Sequence, residues 1–282
     1  MNIIHSLIEM QNWAKKARGA GKVIAFVPTM GFLHEGHLAL MREGKKRGDV
    51  LVISIFVNPT QFGVGENYEE YPQDLEGDKE KALKVGVDII FAPPVREMYP
   101  PDFQTYVNVE KVTQNLCGIS RPTHFQGVTT VVAKLFNIIK PQVAFFGEKD
   151  YQQLITIRQM VKDLNFDIEI IGMPIIREEG GLAMSSRNKY LSSKERKAAF
   201  CLVSSLDRAE RLYQSGEVSS QKLIEETVKN INAQALTRVD YIKICDPDTL
   251  EDIDTIDGKA LIALAVRIGK TRLIDNRTFK KN

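Results

Sequence analysis

Cysteine is scarce in this 282-residue chain, and Cys117, Cys201 and Cys245 are odd in number and widely separated. That spacing supports neither a disulfide framework nor a cysteine-rich metal site, and three unpaired thiols suit a reducing compartment. Long apolar runs are missing too: no stretch approaches the roughly 18 residues that cross a bilayer. The first residues carry no signal-peptide pattern, and Glu9 with no early arginine argues against a transit peptide. Segment 3–16 reads as a first structural helix, and a cytoplasmic location is expected. Nor is there an excess of one charge. Thirty-eight basic residues against 36 acidic ones give a net charge of +2, interspersed along the chain, which leaves no basic stripe for a nucleic acid. The full phosphate-loop motif Gly-x-x-x-x-Gly-Lys-Ser/Thr is absent, as is a strand-borne Gly-x-Gly-x-x-Gly, so any nucleotide is held by other means.

What the chain does have is Pro28-Thr29-Met30-Gly31-Phe32-Leu33-His34-Glu35-Gly36-His37, directly behind the apolar run 23–27 and opening an apolar-periodic segment. Two imidazoles thus sit where a strand passes into a helix. Backbone N–H groups at a helix start favour phosphate, and imidazoles add donors that can follow developing negative charge. The zinc-protease motif needs its histidines at i and i+4, one residue further apart than His34 and His37, so a zinc site is not expected. A histidine pair that merely caps and packs a helix start is the competing explanation, and two further clusters weigh against it. Leu182-Ala183-Met184-Ser185-Ser186-Arg187-Asn188 gathers two hydroxyls and a guanidinium suited to a polyphosphate. Phe145-Phe146-Gly147-Glu148-Lys149-Asp150 closes an apolar run with charges at a strand's carboxyl end, where open α/β sheets bind ligands.

Strand-like runs at 23–27, 50–57, 87–92, 143–146 and 168–173 alternate with helical patterns at 38–47, 75–85, 128–139 and 151–164. The alternation predicts an α/β fold with a doubly wound parallel sheet, and the unbroken hydrophobicity of the runs predicts burial on both faces. After Pro174 come helical patterns near 193–213 and 220–234, then strands near 241–245 and 260–266. Gly269-Lys270 is expected to turn a hairpin between 261–268 and 271–274. The expected organisation is a larger domain over 1–176 and a smaller C-terminal α+β domain over 177–282 that closes over the nucleotide site. No internal repeat is present.

From near its start to Asn276 the chain resembles the pantothenate synthetase (pantoate–β-alanine ligase) family, of the wider His-x-Gly-His nucleotidyltransferase group. The matching stretches are Pro28-Thr29-Met30-Gly31 with His34-x-Gly-His37, Phe56-Val57-Asn58-Pro59-Thr60-Gln61-Phe62, Arg121-Pro122-Thr123-His124-Phe125, Phe146-Gly147-Glu148-Lys149-Asp150-Tyr151-Gln152-Gln153 and Met184-Ser185-Ser186-Arg187-Asn188. The resemblance implies a Rossmann-like sheet and ATP-dependent condensation of pantoate with β-alanine through pantoyl adenylate, releasing AMP and pyrophosphate without a covalent enzyme intermediate.

It also implies the site. His34 and His37 would hydrogen-bond the α-phosphate, and Lys149, Ser185, Ser186 and Arg187 would hold the β- and γ-phosphates. Pro28, Thr29, Met30 and Met184 complete the ATP contacts, with Gly147 and Asp150 at the adenosine. Gln61 and Gln153 would grip pantoate, with Met30, Phe56, Val128 and Val132 as apolar walls and Asn58 near the second substrate. Mg²⁺ would accompany the triphosphate, with Asp78 and Glu148 as candidate ligands, direct or through water. A homodimer is implied, and neither a nucleic-acid nor a membrane partner. Two rival functions remain open at this point. A cytidylyltransferase-like enzyme would share the His-x-Gly-His site, although Gln61, Gln153 and the 56–62 motif count against it. A non-catalytic adenine-nucleotide sensor would need no histidine pair.

Overall fold

The computed structural model describes residues 1–63 and 68–280. Six strands form one parallel sheet: β1 (Asn2–Ile4), β2 (Ile24–Thr29), β3 (Val50–Ile55), β4 (Ile89–Phe91), β5 (Val143–Gly147) and β6 (Glu169–Met173), in the spatial order β1-β4-β3-β2-β5-β6. Helices α1 (Leu7–Gly19), α2 (Glu35–Arg47), α3 (Leu75–Val85), α4 (Val95–Met98), α5 (Cys117–Ser120), α6 (His124–Ile139) and α7 (Tyr151–Asp163) connect them. Alternate residues of the central strands feed two different cores. Ile24, Phe26, Val52 and Phe146 pack with residues of α1, α6 and α7, whereas Ala25, Val27, Ile53 and Phe145 pack with Leu40, Met41 and Ala82 of α2 and α3. This is why the central runs read as continuously apolar: both faces are covered; the 168–173 run departs, since β6 lies at the edge of the sheet with Glu169 exposed and its other residues only half-buried.

The order reverses between β2 and β5, because the chain steps outward from β2 through β3 and β4 and then returns to β5. Pro28 opens the sheet at that point. The Gln142 N–H donates to Ile24 O on the β5 side, and the Phe56 N–H to Thr29 O on the β3 side. Alternation therefore turns the missing N–H of Pro28 toward β5, where pairing has already ended at Phe26 and Ala144. A crevice at the carboxyl ends of the strands follows, which is where such sheets bind ligands.

The remaining elements are α8 (Ser193–Gln214), α9 (Ser220–Asn232) and a three-stranded antiparallel sheet of β7 (Thr237–Cys245), β8 (Ala260–Ile268) and β9 (Thr271–Phe279). One face of this sheet, including Ile244, Leu264, Val266 and Phe279, packs with Leu202, Leu206, Leu223 and Ile231 of the two helices. The hairpin at Gly269-Lys270 is present with Ile268 opposite Thr271, but its second strand continues to Phe279 rather than stopping near 274.

Segment 3–16 departs from expectation. Asn2–Ile4 is an edge strand beside β4, and the helix starts only at Leu7, after Ser6 accepts the Glu9 N–H at 3.4 Å. Two apolar residues followed by a capping serine carry too little period to separate strand from helix. Helices α2 and α6 also begin earlier than their apolar patterns, at Glu35 and His124.

Phe145 is fully buried, and its ring lies 3.5 Å from where a Cβ on Gly44 would be, so β5 and α2 meet there without slack. Phe145→Ala is expected to lower unfolding free energy by about 3–5 kcal/mol, measured by denaturant midpoint; a loss under about 1 kcal/mol would contradict this packing.

Candidate active site

At the carboxyl end of β2 the chain must turn into α2 within a few residues. Thr29 Oγ1 donates to Ser54 O at 2.7 Å and accepts the Gly31 N–H at 3.1 Å, fixing the end of the strand. Phe32 then adopts φ +54°. The turn is gripped from α3: Asp78 accepts the Phe32 N–H at 2.8 Å on one oxygen and the Leu33 N–H at 2.7 Å on the other, and Lys81, three residues on, donates to Leu33 O at 2.9 Å.

His34 caps α2, and its N–H donates to His37 Nδ1 at 3.3 Å. That leaves the proton of a neutral His37 on Nε2. The two rings stack with centroids 4.0 Å apart. Gly36 permits this, because a Cβ there would lie 2.9 Å from His34 Cε1. His34 Nδ1 is buried without a hydrogen-bond partner among the described residues. Burial, then the Lys149 ammonium, lowers the His34 pKa to about 4. Burial, then His34 and Lys149, drives His37 well below its usual value. Both imidazoles are therefore neutral near pH 7.

A cavity of about 470 Å³ extends from this pair. Pro28, Thr29 and Met30 line it from β2, Phe56, Asn58 and Gln61 from the segment after β3, and Val128 and Val132 from α6. Gly147, Lys149, Asp150 and Gln153 line it from the end of β5 and the start of α7, and Met184, Ser185, Ser186 and Arg187 close it from the other side. Gln61 Nε2 donates to Met30 Sδ at 3.0 Å, and Asn58 Nδ2 donates to Gln61 Oε1 at 3.2 Å and to Gly127 O at 3.0 Å. Gly127 lets α6 approach this turn, since a Cβ there would lie 2.3 Å from Thr60 O. Lys149 Nζ lies 3.8 Å from Asp150.

Asp78 and Glu148, expected near a metal, lie outside this lining. Both Asp78 oxygens are taken by the Phe32 and Leu33 amides. Glu148 turns toward β6, its Oε1 3.2 Å from the place of a Cβ on Gly172. No group of three or more His, Cys, Asp or Glu side chains suited to a metal occurs among the described residues.

Several contributors escaped the sequence reading. Tyr71 brings its hydroxyl 3.4 Å from Ser186 Oγ, and Tyr190 donates to Glu70 O at 2.9 Å, joining the 70–71 turn to the serine-arginine segment. Asn276 Nδ2 donates to Glu148 O and Lys149 O at 2.9 and 3.0 Å, so β9 supports the backbone that carries Lys149. Glu178 accepts from Asn188 Nδ2 at 2.6 Å and from Arg196, and so braces the same segment. None of these has a local pattern, because each acts through a contact between separate segments of the chain.

The family model described as pantoate-beta-alanine ligase matches residues 2–278. The chain belongs to that family. Pantothenate synthetase from Syntrophus aciditrophicus is 56% identical over 279 residues, 99% of this chain and 98% of that protein. The enzyme of that name from Geotalea uraniireducens is 57% identical over 276 residues, 98% of each chain. The crystal structure of pantothenate synthetase from Thermus thermophilus superposes with a TM-score of 0.93 at 44% identity, covering 98% of this chain and 99% of that one. A Francisella tularensis pantoate-beta-alanine ligase, complexed with beta-gamma ATP and beta-alanine, gives 0.81 at 34% identity over 98% of this chain and 97% of that one.

Two outcomes follow from this pantoate-beta-alanine ligase geometry. Gly36→Ala should displace the His34 ring and reduce turnover by about tenfold or more with little loss of thermal stability, since alanine favours a helix; unchanged steady-state kinetics would contradict the contact. The His34 pKa is lower folded than unfolded, so the unfolded chain binds the extra proton. Stability should then fall as pH drops from 6.5 toward about 4. His34→Asn should flatten that part of the profile in chemical denaturation, and an unaltered slope would count against the shift.

Proposed function

We propose that this chain condenses pantoate with β-alanine at the expense of ATP, through pantoyl adenylate. The observation that carries this is the neutral imidazole pair at the β2 carboxyl end, facing Lys149, Ser185, Ser186 and Arg187 across one cavity. An ionised carboxylate is a poor electrophile, so its oxygen first attacks the α-phosphorus, the α–β bridging bond breaks and pyrophosphate leaves. The β-alanine nitrogen then attacks the acyl carbon. A C–N bond forms, the acyl–oxygen bond breaks, AMP departs and the nitrogen loses one proton. No step needs an enzyme nucleophile.

Phosphoryl chemistry of this kind depends on positioning and on neutralising charge. His37 Nε2–H is a donor fixed by the Nδ1 bond to the His34 N–H, and His34 stacks beside it with its buried Nδ1 turned toward Gly36, which leaves its Nε2 for an α-phosphate. Lys149, Ser185, Ser186 and Arg187 take the β- and γ-phosphates, and Arg187 can engage two oxygens at once. Gln61 and Gln153 bind pantoate hydroxyls and carboxylate without adding charge, Met30, Phe56, Val128 and Val132 enclose its methyl groups, and Asn58 orients Gln61. Gly147 and Asp150 meet the ribose, with Pro28, Thr29 and Met184 completing the ATP contacts. Mg²⁺ belongs to this reading as a companion of the triphosphate, whose charge it screens. It needs few protein ligands, which fits a cavity where Asp150 is the one acidic side chain among the described lining residues, and neither Asp78 nor Glu148 fits as its ligand.

Residues 177–282 act as the smaller domain that closes on 1–176, a role supported by the Tyr71–Ser186 and Tyr190–Glu70 contacts across the cleft. No helix among the described residues is long and apolar enough to cross a membrane, and we assign a cytoplasmic homodimer.

His37→Ala should lower turnover by about 10²–10³ while ATP still binds, because a donor to the developing charge is lost but the triphosphate contacts remain. Pantothenate formation at the wild-type rate in that variant would overturn the role.

A further inference from the structure

The small sheet carries an unusual row of like charges. Register sets Arg238 opposite Arg267 on β7 and β8, and Arg267 opposite Arg272 on β8 and β9. Paired residues share a face, with Cβ atoms about 5 Å apart, and directly opposed like charges repel. One carboxylate answers the row: Asp240, at the bulge between Val239 and Tyr241, accepts from Arg272 Nε at 2.8 Å. Arg238 and Arg267 have no ion pair or side-chain hydrogen bond among the described residues, and neither is buried.

The other face of this sheet is closed by α8 and α9, so the row looks the opposite way. Arg267 and Arg272 there line a second cavity of about 710 Å³, which meets the first at Lys149, Ser185 and Arg187. Its lining is mixed: Lys149, Arg187, Arg267, Lys270 and Arg272 share it with Glu70, Asp150, Glu195 and Asp275, of which Asp275 is paired with Arg177 and Glu195 caps α8. Arg272 is already engaged by Asp240, by Cys117 Sγ at 3.5 Å and by the Tyr241 ring, so Arg238 and Arg267 are the guanidiniums whose repulsion an anion relieves, and guanidinium pairs with phosphate oxygens in bidentate fashion.

The geometry points to a second anion site at Arg238, Arg267 and Arg272 that receives a polyphosphate, and its occupant during turnover is the pyrophosphate displaced from the first cavity. This inference rests on the proposed ligase reading for the source of that anion. The row acts after α-phosphorus attack, by drawing pyrophosphate away from the adenylate so that β-alanine meets the acyl carbon without the leaving group still opposite.

The test titrates inorganic pyrophosphate calorimetrically into the full chain at low salt, with the first cavity saturated by an ATP analogue carrying a methylene in place of the α–β bridging oxygen. One further equivalent of pyrophosphate is expected to bind. Arg267→Gln should weaken it at least tenfold and Arg238→Gln several-fold, with KM for ATP unchanged. Both variants should also melt no lower than wild type in phosphate-free buffer, since each removes a repulsion. Absence of the additional equivalent, or equal affinity in Arg267→Gln, would overturn the site. Pantothenate formation assayed on the same preparation separates the two readings. An active enzyme without the second equivalent removes the anion site alone, whereas an inactive one that still binds it removes the leaving-group assignment.

Discussion

Two amide protons ending on one buried carboxylate fix the geometry on which the rest of the site depends. The Asp78 carboxylate is buried, and burial raises its pKa while the Leu33 and Phe32 amides work in the opposite direction. Hydrogen bonds to a charged group contribute roughly 1.5–3 kcal/mol each, enough to keep the carboxylate in place and Phe32 at its positive φ. The direction in which α2 leaves the sheet then follows, and with it the stacking of His34 on His37. Lys81 seals the same turn from the other polarity and adds to the positive field around the imidazoles.

The site is arranged for negative charge that arrives from outside. Both imidazoles are neutral, yet they stand near Lys149 in a cavity with few acidic groups, so donors are in position before any phosphate enters and little reorganisation remains to be done. The small sheet takes part in that arrangement. Asn276 fixes the backbone of Glu148 and Lys149, the Arg177–Asp275 pair at 2.7 Å is buried on its carboxylate side, and Arg267 and Arg272 extend the positive field beyond the first cavity. Pro28 and Gly36 do opposite things for the same end: one removes a hydrogen-bond donor to part the strands, the other removes a side chain to admit a ring.

Much of this was legible in the sequence, because the central strands are buried on both faces and their apolar runs leave little ambiguity. The strand ends were legible too, since His34 and His37 lie in the turn and first helical residues after the β2 run and Lys149 lies two residues after the β5 run, whereas the Ser185 segment directly follows no strand of the parallel sheet. Edge strand Asn2–Ile4 was not, because three residues cannot display a period and the neighbouring helix pattern absorbed them. Asp78 was read as a metal ligand because a carboxylate near a triphosphate site invites it; that its oxygens face backbone amides depends on how α3 packs beneath a turn 45 residues away in sequence. Tyr71, Asn276 and Glu178 act through contacts between distant segments, and no local pattern marks them. The arginine row emerges only when β7, β8 and β9 are in register, since Arg238 lies far from Arg267 and Arg272 in the chain.

The measurement that bears most directly on the central claim is the stoichiometry of AMP, pyrophosphate and pantothenate formed from ATP, pantoate and β-alanine, with each substrate omitted in turn. The account predicts equal amounts of all three products, sustained AMP release that requires β-alanine, and at most a stoichiometric burst of pyrophosphate without it. Pyrophosphate with no AMP in any mixture would mean that the nucleotide stays on the product, as in a nucleotidyltransferase, and would contradict the account, as would bound ATP with no turnover.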